Sequence, residues 1–192
     1  MAGSVRRYLE KKADLQARRL HHNGAADLDT VVVIPALAEK DHLFRTLEFL
    51  AQNPAGDLAR TLVICVINNR RQPPATPDQV RNNQETLARL EAMTASSGPL
   101  RLGYIDASSP GFELPDKGGV GLARKMGLDW GLALLAETVG EPGLLVAPHA
   151  TGISRTRSGV PSRVGMVMGI ATMLLASFAS LTKPRSSVLT MR

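Results

Sequence analysis

Continuous apolar runs alternate along this chain with stretches whose apolar positions recur at helical spacing. TVVVIPA, Thr30 to Ala36, is a β-branched run of the kind found in strands buried on both faces of a parallel sheet. Pro35 is expected to stop its ladder. EKDHLFRTLEFLAQN follows, with Leu43, Leu47 and Leu50 at helical spacing and a stop at NPAGD. RTLVICVINN predicts a second buried strand. PDQVRNNQETLARLEAMTA predicts a second helix, with Pro77 near its start and Val80, Leu87, Leu90 and Met93 facing inward. LRLGYIDA predicts a third strand, GVGLARKMGLDWGLALLAETVG a third helix, and GLLVA the start of a fourth strand. This alternation predicts an α/β fold with a mostly parallel sheet flanked by helices. Ligands of such sheets sit beyond the carboxyl ends of the strands. Those ends read IPALAEK, INNRRQ, IDASSPGFELPDKGG and VAPHATG.

The two ends of the chain differ from this middle. Residues 4–21 carry a ragged apolar stripe (Val5, Tyr8, Leu9, Ala13, Leu15, Leu20) among basic residues, and NGAADLD turns the chain after them. The expectation is a solvated helical arm over residues 1–28, an α/β domain over 29–146, and a basic tail over 147–192. Charge marks the second boundary. The chain carries a net +6, yet residues 1–141 are balanced, and no Asp or Glu follows Glu141. The whole excess therefore belongs to the tail. Phe178 is the tail's one aromatic residue, so base stacking has little to rest on and no nucleic-acid partner is expected. The charged N-terminus has no apolar signal core, which reads as cytoplasmic. The lone Cys65 lies in an apolar run and is expected to be a buried, inert thiol.

Several chemistries lack their residues. A dinucleotide site needs a Gly-rich turn after the first strand, and that turn is PALAE. The G-x-G fragment at 118–123 follows the third strand instead. There is no P-loop and no G-x-S-x-G elbow. The four His residues (21, 22, 42, 149) do not pair at metal-ligand spacing.

VVVIPALAEKDHLFRTLEFLAQN, then a strand ending VINN, then KGGVGLARKMGLDWGLA, resembles the nucleotide-binding half of a family 2 glycosyltransferase with the GT-A fold. The resemblance spans roughly residues 29–146 and implies a nucleotide-diphosphosugar donor. In that family the first strand end approaches the nucleotide base, which maps to Pro35, Ala36 and Glu39. Glu39 also suits the first turn of a helix, where the dipole favours an acid. The second strand end usually offers an Asp to the base. Here Asn68 and Asn69 stand there, able to bond a base edge or to make ordinary turn contacts. Asp106, closing the third strand, is either a nucleotide contact or a turn residue. At the third helix start, backbone N–H groups suit phosphate. Gly118, Gly119 and Gly121 permit close approach, and Lys117 and Arg124 add positive charge for a diphosphate.

The resemblance also implies a divalent metal, Mg or Mn, held by an Asp-x-Asp motif after the fourth strand. That strand instead runs into APHATG, and the bare match Asp27-Leu28-Asp29 precedes the first strand. The catalytic base of the family is an acid from the acceptor half, and the tail has none. The implied protein binds a donor and is inactive as written, its sheet incomplete and followed by an irregular or helical tail. Two explanations of the tail stand. In one, the reading frame shifts near Val146; a shifted reading of the degenerate codons for His149 to Ile153 permits Cys-Asp-Gly-Asp. In the other the tail is genuine: the uncharged stretch 164–182 is a membrane anchor or a buried or disordered segment, and the chain is a membrane-anchored or soluble non-catalytic nucleotide-binding or adaptor module. At helical rise its nineteen residues span about 28 Å, just under a hydrocarbon core of ~30 Å.

Overall fold

The computed structural model describes residues 2–13, 15–137, 144–149 and 152–155. Along the chain these form α1 (Ala2–Lys12), β1 (Leu20–His22), β2 (Thr30–Ala36), α2 (Lys40–Leu50) and the one-turn α3 (Ala55–Leu58). Then follow β3 (Thr61–Asn68), α4 (Pro77–Ala95), β4 (Arg101–Ala107), α5 (Val120–Glu137), β5 (Leu144–His149) and β6 (Gly152–Arg155). The protein is α/β, with a six-stranded mixed sheet in the order β1-β4-β3-β2-β5-β6. The four inner strands are parallel, and β1 and β6 are antiparallel to their neighbours.

The apolar alternation of the strands explains the layers. Val32, Val63, Cys65, Ile67, Leu102 and Tyr104 face α2 and α4. Val31, Val33, Leu62, Ile64, Val66 and Ile105 face α5. Every residue of β3 is buried, as its unbroken apolar run requires of a central strand. Cys65 is fully buried, and loss of solvation pushes its thiol pKa up to about 12. The thiol is thus inert, as expected. Helix α4 starts where Pro77 and a reciprocal Thr76–Gln79 capping box set it.

Four sequence expectations change. Pro35 does not end the pairing with β3, which continues to Ala36 opposite Ile67. Val80 is exposed, whereas Leu87 and Leu90 are buried and Met93 packs against them. Val80 belongs to the first turn of α4.

The third change is the N-terminal arm, which is not a solvated helix through residue 21. It ends at Lys12, and Leu20–His22 becomes an edge strand on β4, with His21 stacked on Tyr104 at 4.9 Å. The buried Asp129 of α5 accepts hydrogen bonds from the Tyr8 hydroxyl, at 2.9 Å, and from Lys125. Lys125 also donates to the carbonyl of Lys12 at 2.9 Å, satisfying an end of α1. Burial and then Asp129 raise the Tyr8 pKa. Burial opposes the charge on Lys125, but the hydrogen bond and charge of Asp129 together with Tyr8 outweigh it, so that pKa is raised too. A ragged stripe of single apolar residues hides a helix that docks through polar groups.

The fourth change is at the tail. β5 continues beyond Val146 to His149, and β6 pairs with it, so the first residues after the expected boundary extend the sheet. The stretch 164–182 lies outside the described residues, among which no helix is long and apolar enough to cross a membrane.

Candidate functional site

The chain leaves β2 through β3 to β4 in one direction, then α5 carries it back to β5 on the other side of β2. The order therefore reverses between β2 and β5, and ligands of open α/β sheets bind beyond the carboxyl ends of strands at such a reversal. All ten sequence-predicted residues belong to this edge: Pro35, Ala36 and Glu39 at β2, Asn68 and Asn69 at β3, Asp106 at β4, and Lys117, Gly118, Gly119 and Arg124 at the start of α5.

The turn after β2 is held from α4. Ala38 has φ 53°, a left-handed conformation, and its N–H donates to Asn83 Oδ1 at 2.8 Å. The N–H of Lys40 donates to Asn82 Oδ1 at 3.1 Å. Asn83 is 1% exposed, and its Nδ2 donates to the carbonyl of Asn68 at 3.3 Å and to Asn69 Oδ1 at 3.2 Å. Asn68 Nδ2 in turn donates to the carbonyls of Ala36, at 3.1 Å, and Val66, at 3.3 Å. Asn68 and Asn69 thus join a buried amide network that locks two strand ends together. Asn82 and Asn83 were missed as site residues. Their signal was visible, because two poor helix formers stand side by side near the start of an otherwise ordinary helix.

An L-residue in the left-handed region costs about 1–2 kcal/mol, which glycine avoids at some cost in chain entropy. Ala38→Gly is accordingly expected to stabilise the fold by about 0.5–1 kcal/mol, measured by urea unfolding. A loss of stability would show that this turn is not strained.

Glu39 stands at the N-cap of α2, but its side chain makes no capping bond. The side chain is exposed, yet partial desolvation by the crowded strand ends raises its pKa, with His42 opposing. Asp106 is committed locally. Its Oδ1 accepts the N–H groups of Ser108 and Ser109, both at 2.9 Å, which is the turn reading of that position.

The loop between β4 and α5 is fastened to the end of β3. Leu114 N–H donates to the carbonyl of Asn69 at 2.8 Å, and Arg71 N–H to the carbonyl of Leu114 at 2.9 Å. Gly118 follows in a tight turn, where a Cβ would sit 2.8 Å from the carbonyl oxygen of Pro115. A Cβ on Gly119 would lie 2.9 Å from the guanidinium of Arg70. Arg70 thus joins Lys117 and Arg124 at this edge, a residue the sequence analysis left without a role. Lys117 is exposed and Arg124 half-buried. Helical spacing sets Arg124 on the stripe of Gly127 and Gly131, which pack on Val33 and Val31. Continued one turn, that stripe reaches the carboxyl end of β2.

Among the described residues, the donor set at this edge does not fit a divalent metal. The end of β5 reads Val146-Ala147-Pro148-His149, with no carboxylate. No three His, Cys, Asp or Glu side chains converge among the described residues. Asp29 lies at the amino end of β2, where it pairs with Arg60 and accepts from Thr30 Oγ1 at 3.0 Å. A groove of about 230 Å³ between α2 and α4 lies off this edge, with Leu47, Met93 and Leu102 in its walls. Arg89 covers it, 3.8 Å over the Phe44 ring.

Comparison of the chain with protein-family models, curated proteins and solved structures finds no match.

Proposed function

We propose that residues 29–146 are a GT-A-like unit that binds a nucleotide diphosphosugar at the carboxyl edge of the sheet and does not transfer its sugar. One observation carries the reading: at the carboxyl edge of the sheet the Gly118–Gly119 turn gathers three cations, Arg70 after β3 and Lys117 and Arg124 at the start of α5. A diphosphate needs charge neutralisation and donors that approach closely. The Gly118–Gly119 turn and the first amides of α5 offer the donors, and the three side chains offer the charge. Glu39, at the adjoining strand end, faces the nucleoside side of such a ligand. Transfer needs more than binding. In the family it resembles, a carboxylate-held metal ion sits at the leaving diphosphate and an acid serves as base for the acceptor hydroxyl. Residues 142–192 contain no acid for either role.

Titration calorimetry with uridine diphosphate on the whole chain tests the reading. The wild-type protein is expected to bind, and Arg124→Ala to weaken binding by about 1.5–3 kcal/mol, the worth of a hydrogen bond to a charged group. Equal affinity in the variant removes Arg124 from the site, and no binding of any nucleoside diphosphate to the wild type ends the proposal. Sugar transfer above a no-protein control would overturn the claim that the chain binds without turnover.

A further inference from the structure

We infer that the segment 15–22 is an external strap that presets the β4–α5 loop for its ligand, with Arg18 as the positioning residue. The inference rests on the anion-binding reading only for what the loop is preset to do.

Arg18 donates from Nε to the carbonyl of Phe112 and from Nη2 to the carbonyl of Glu113, both at 2.8 Å. One rigid guanidinium fork therefore grips two consecutive carbonyls of the loop. The backbone that carries Arg18 is itself anchored. Trp130 Nε1, on α5, donates to the Arg18 carbonyl at 3.1 Å. Two residues further on, Leu20–His22 pairs with Gly103–Ile105 of β4. The strap is thus tied to the strand before the loop and to the helix after it, and Arg18 reaches the loop between those ties.

From the inner side the same loop is held at Leu114, which is fully buried and bonded to Asn69 and Arg71. Phe112 and Glu113, which Arg18 grips, immediately precede Leu114. After Pro115 and Asp116 come Lys117, Gly118 and Gly119, before α5 begins. With both holds in place, the segment from Phe112 to Leu114 is fixed from two sides, and the glycine turn starts from a defined point. With Arg18 removed, the inner hold remains but the loop can lift outward. Preorganisation of this kind acts on affinity by removing an ordering cost from binding.

Hydrogen exchange on the whole wild-type chain and on Arg18→Ala, without ligand, is the test. Loss of two bonds from a charged donor is expected to speed exchange of the amides of residues 111–119 about 10-fold or more. Exchange in β2 and β3 is expected to stay unchanged. Arg18→Lys, which lacks the fork, is expected to restore protection only in part. Tyr8→Phe loosens α1 but leaves Arg18 in place, so the loop should keep its protection in that variant. Unchanged exchange at 111–119 in Arg18→Ala overturns the strap, as does equal acceleration across the sheet. Uridine diphosphate titration of the same variant reads the consequence, a several-fold weaker binding. If the wild type binds no nucleotide, the function proposed above fails while the exchange result still decides the strap.

Discussion

Gly127→Leu is expected to cost more than about 4 kcal/mol, a large part of the ~5–15 kcal/mol that keeps a domain folded. Even the first added carbon has no room. A Cβ at position 127 would lie 2.3 Å from Val33 Cγ1 and 3.1 Å from Val66 Cγ2, and both valines are fully buried. Val33 is β-branched and sits in a central strand, so neither rotation nor backbone shift relieves the contact cheaply. For Gly127→Ala the overpacking penalty of about 1–3 kcal/mol is offset by about 1 kcal/mol of helix propensity. The net expectation for that variant is a loss of up to about 2 kcal/mol. Gly121 is the control, because nothing lies within 4 Å of its added Cβ. Gly121→Ala should be neutral or stabilising. Urea unfolding of the three variants reads the series. If Gly127→Ala is tolerated as well as Gly121→Ala, α5 does not approach the sheet this closely.

This contact shows which features were legible before the structure. The strands were, because Thr30–Ala36 and Thr61–Asn68 are apolar runs whose period of two the two faces of the sheet then use. Helix α5 was legible as a helix, but its glycines were not legible as contacts. A glycine inside a helical pattern states only a propensity cost, and what it touches depends on where the strand beneath it lies. The docked arm was missed for a related reason. Tyr8, Asp129 and Lys125 are ordinary surface residue types, and only the fold makes them one cluster. At the candidate site, the structure gives some of the residues partners that their sequence positions did not show. Lys117, Gly118, Gly119 and Arg124 stand at the start of α5, whereas Asn68 bonds the carbonyl end of the neighbouring β2 and Asp106 the turn after its own strand. Asn83 holds that edge together from a helix in which nothing but its poor propensity marks it.

Asn83→Ala is the second large loss, expected at about 3–5 kcal/mol. The side chain serves three partners at once, the N–H of Ala38, the carbonyl of Asn68 and Oδ1 of Asn69. Truncation leaves each of them short of a bond in a place where water has little access, at about 1–3 kcal/mol for each group that stays unsatisfied. Asn83→Asp separates the two halves of this role. It keeps an acceptor for Ala38 but turns the donor into a carboxylate oxygen facing two other oxygens. Burial and those acceptors favour the protonated acid, so its pKa in the folded protein is raised above the unfolded value. Stability of this variant should therefore be recovered as the pH falls and lost again as it rises. Asn83→Ala should show no such recovery relative to wild type. Urea unfolding of both variants between mildly acidic and neutral pH makes the comparison. The same substitutions free the strained turn at Ala38, which precedes Glu39, so uridine diphosphate binding should weaken under conditions where the variant is still folded. A stable Asn83→Ala protein with wild-type nucleotide affinity would show that the amide network neither holds the strand ends nor shapes the site between them.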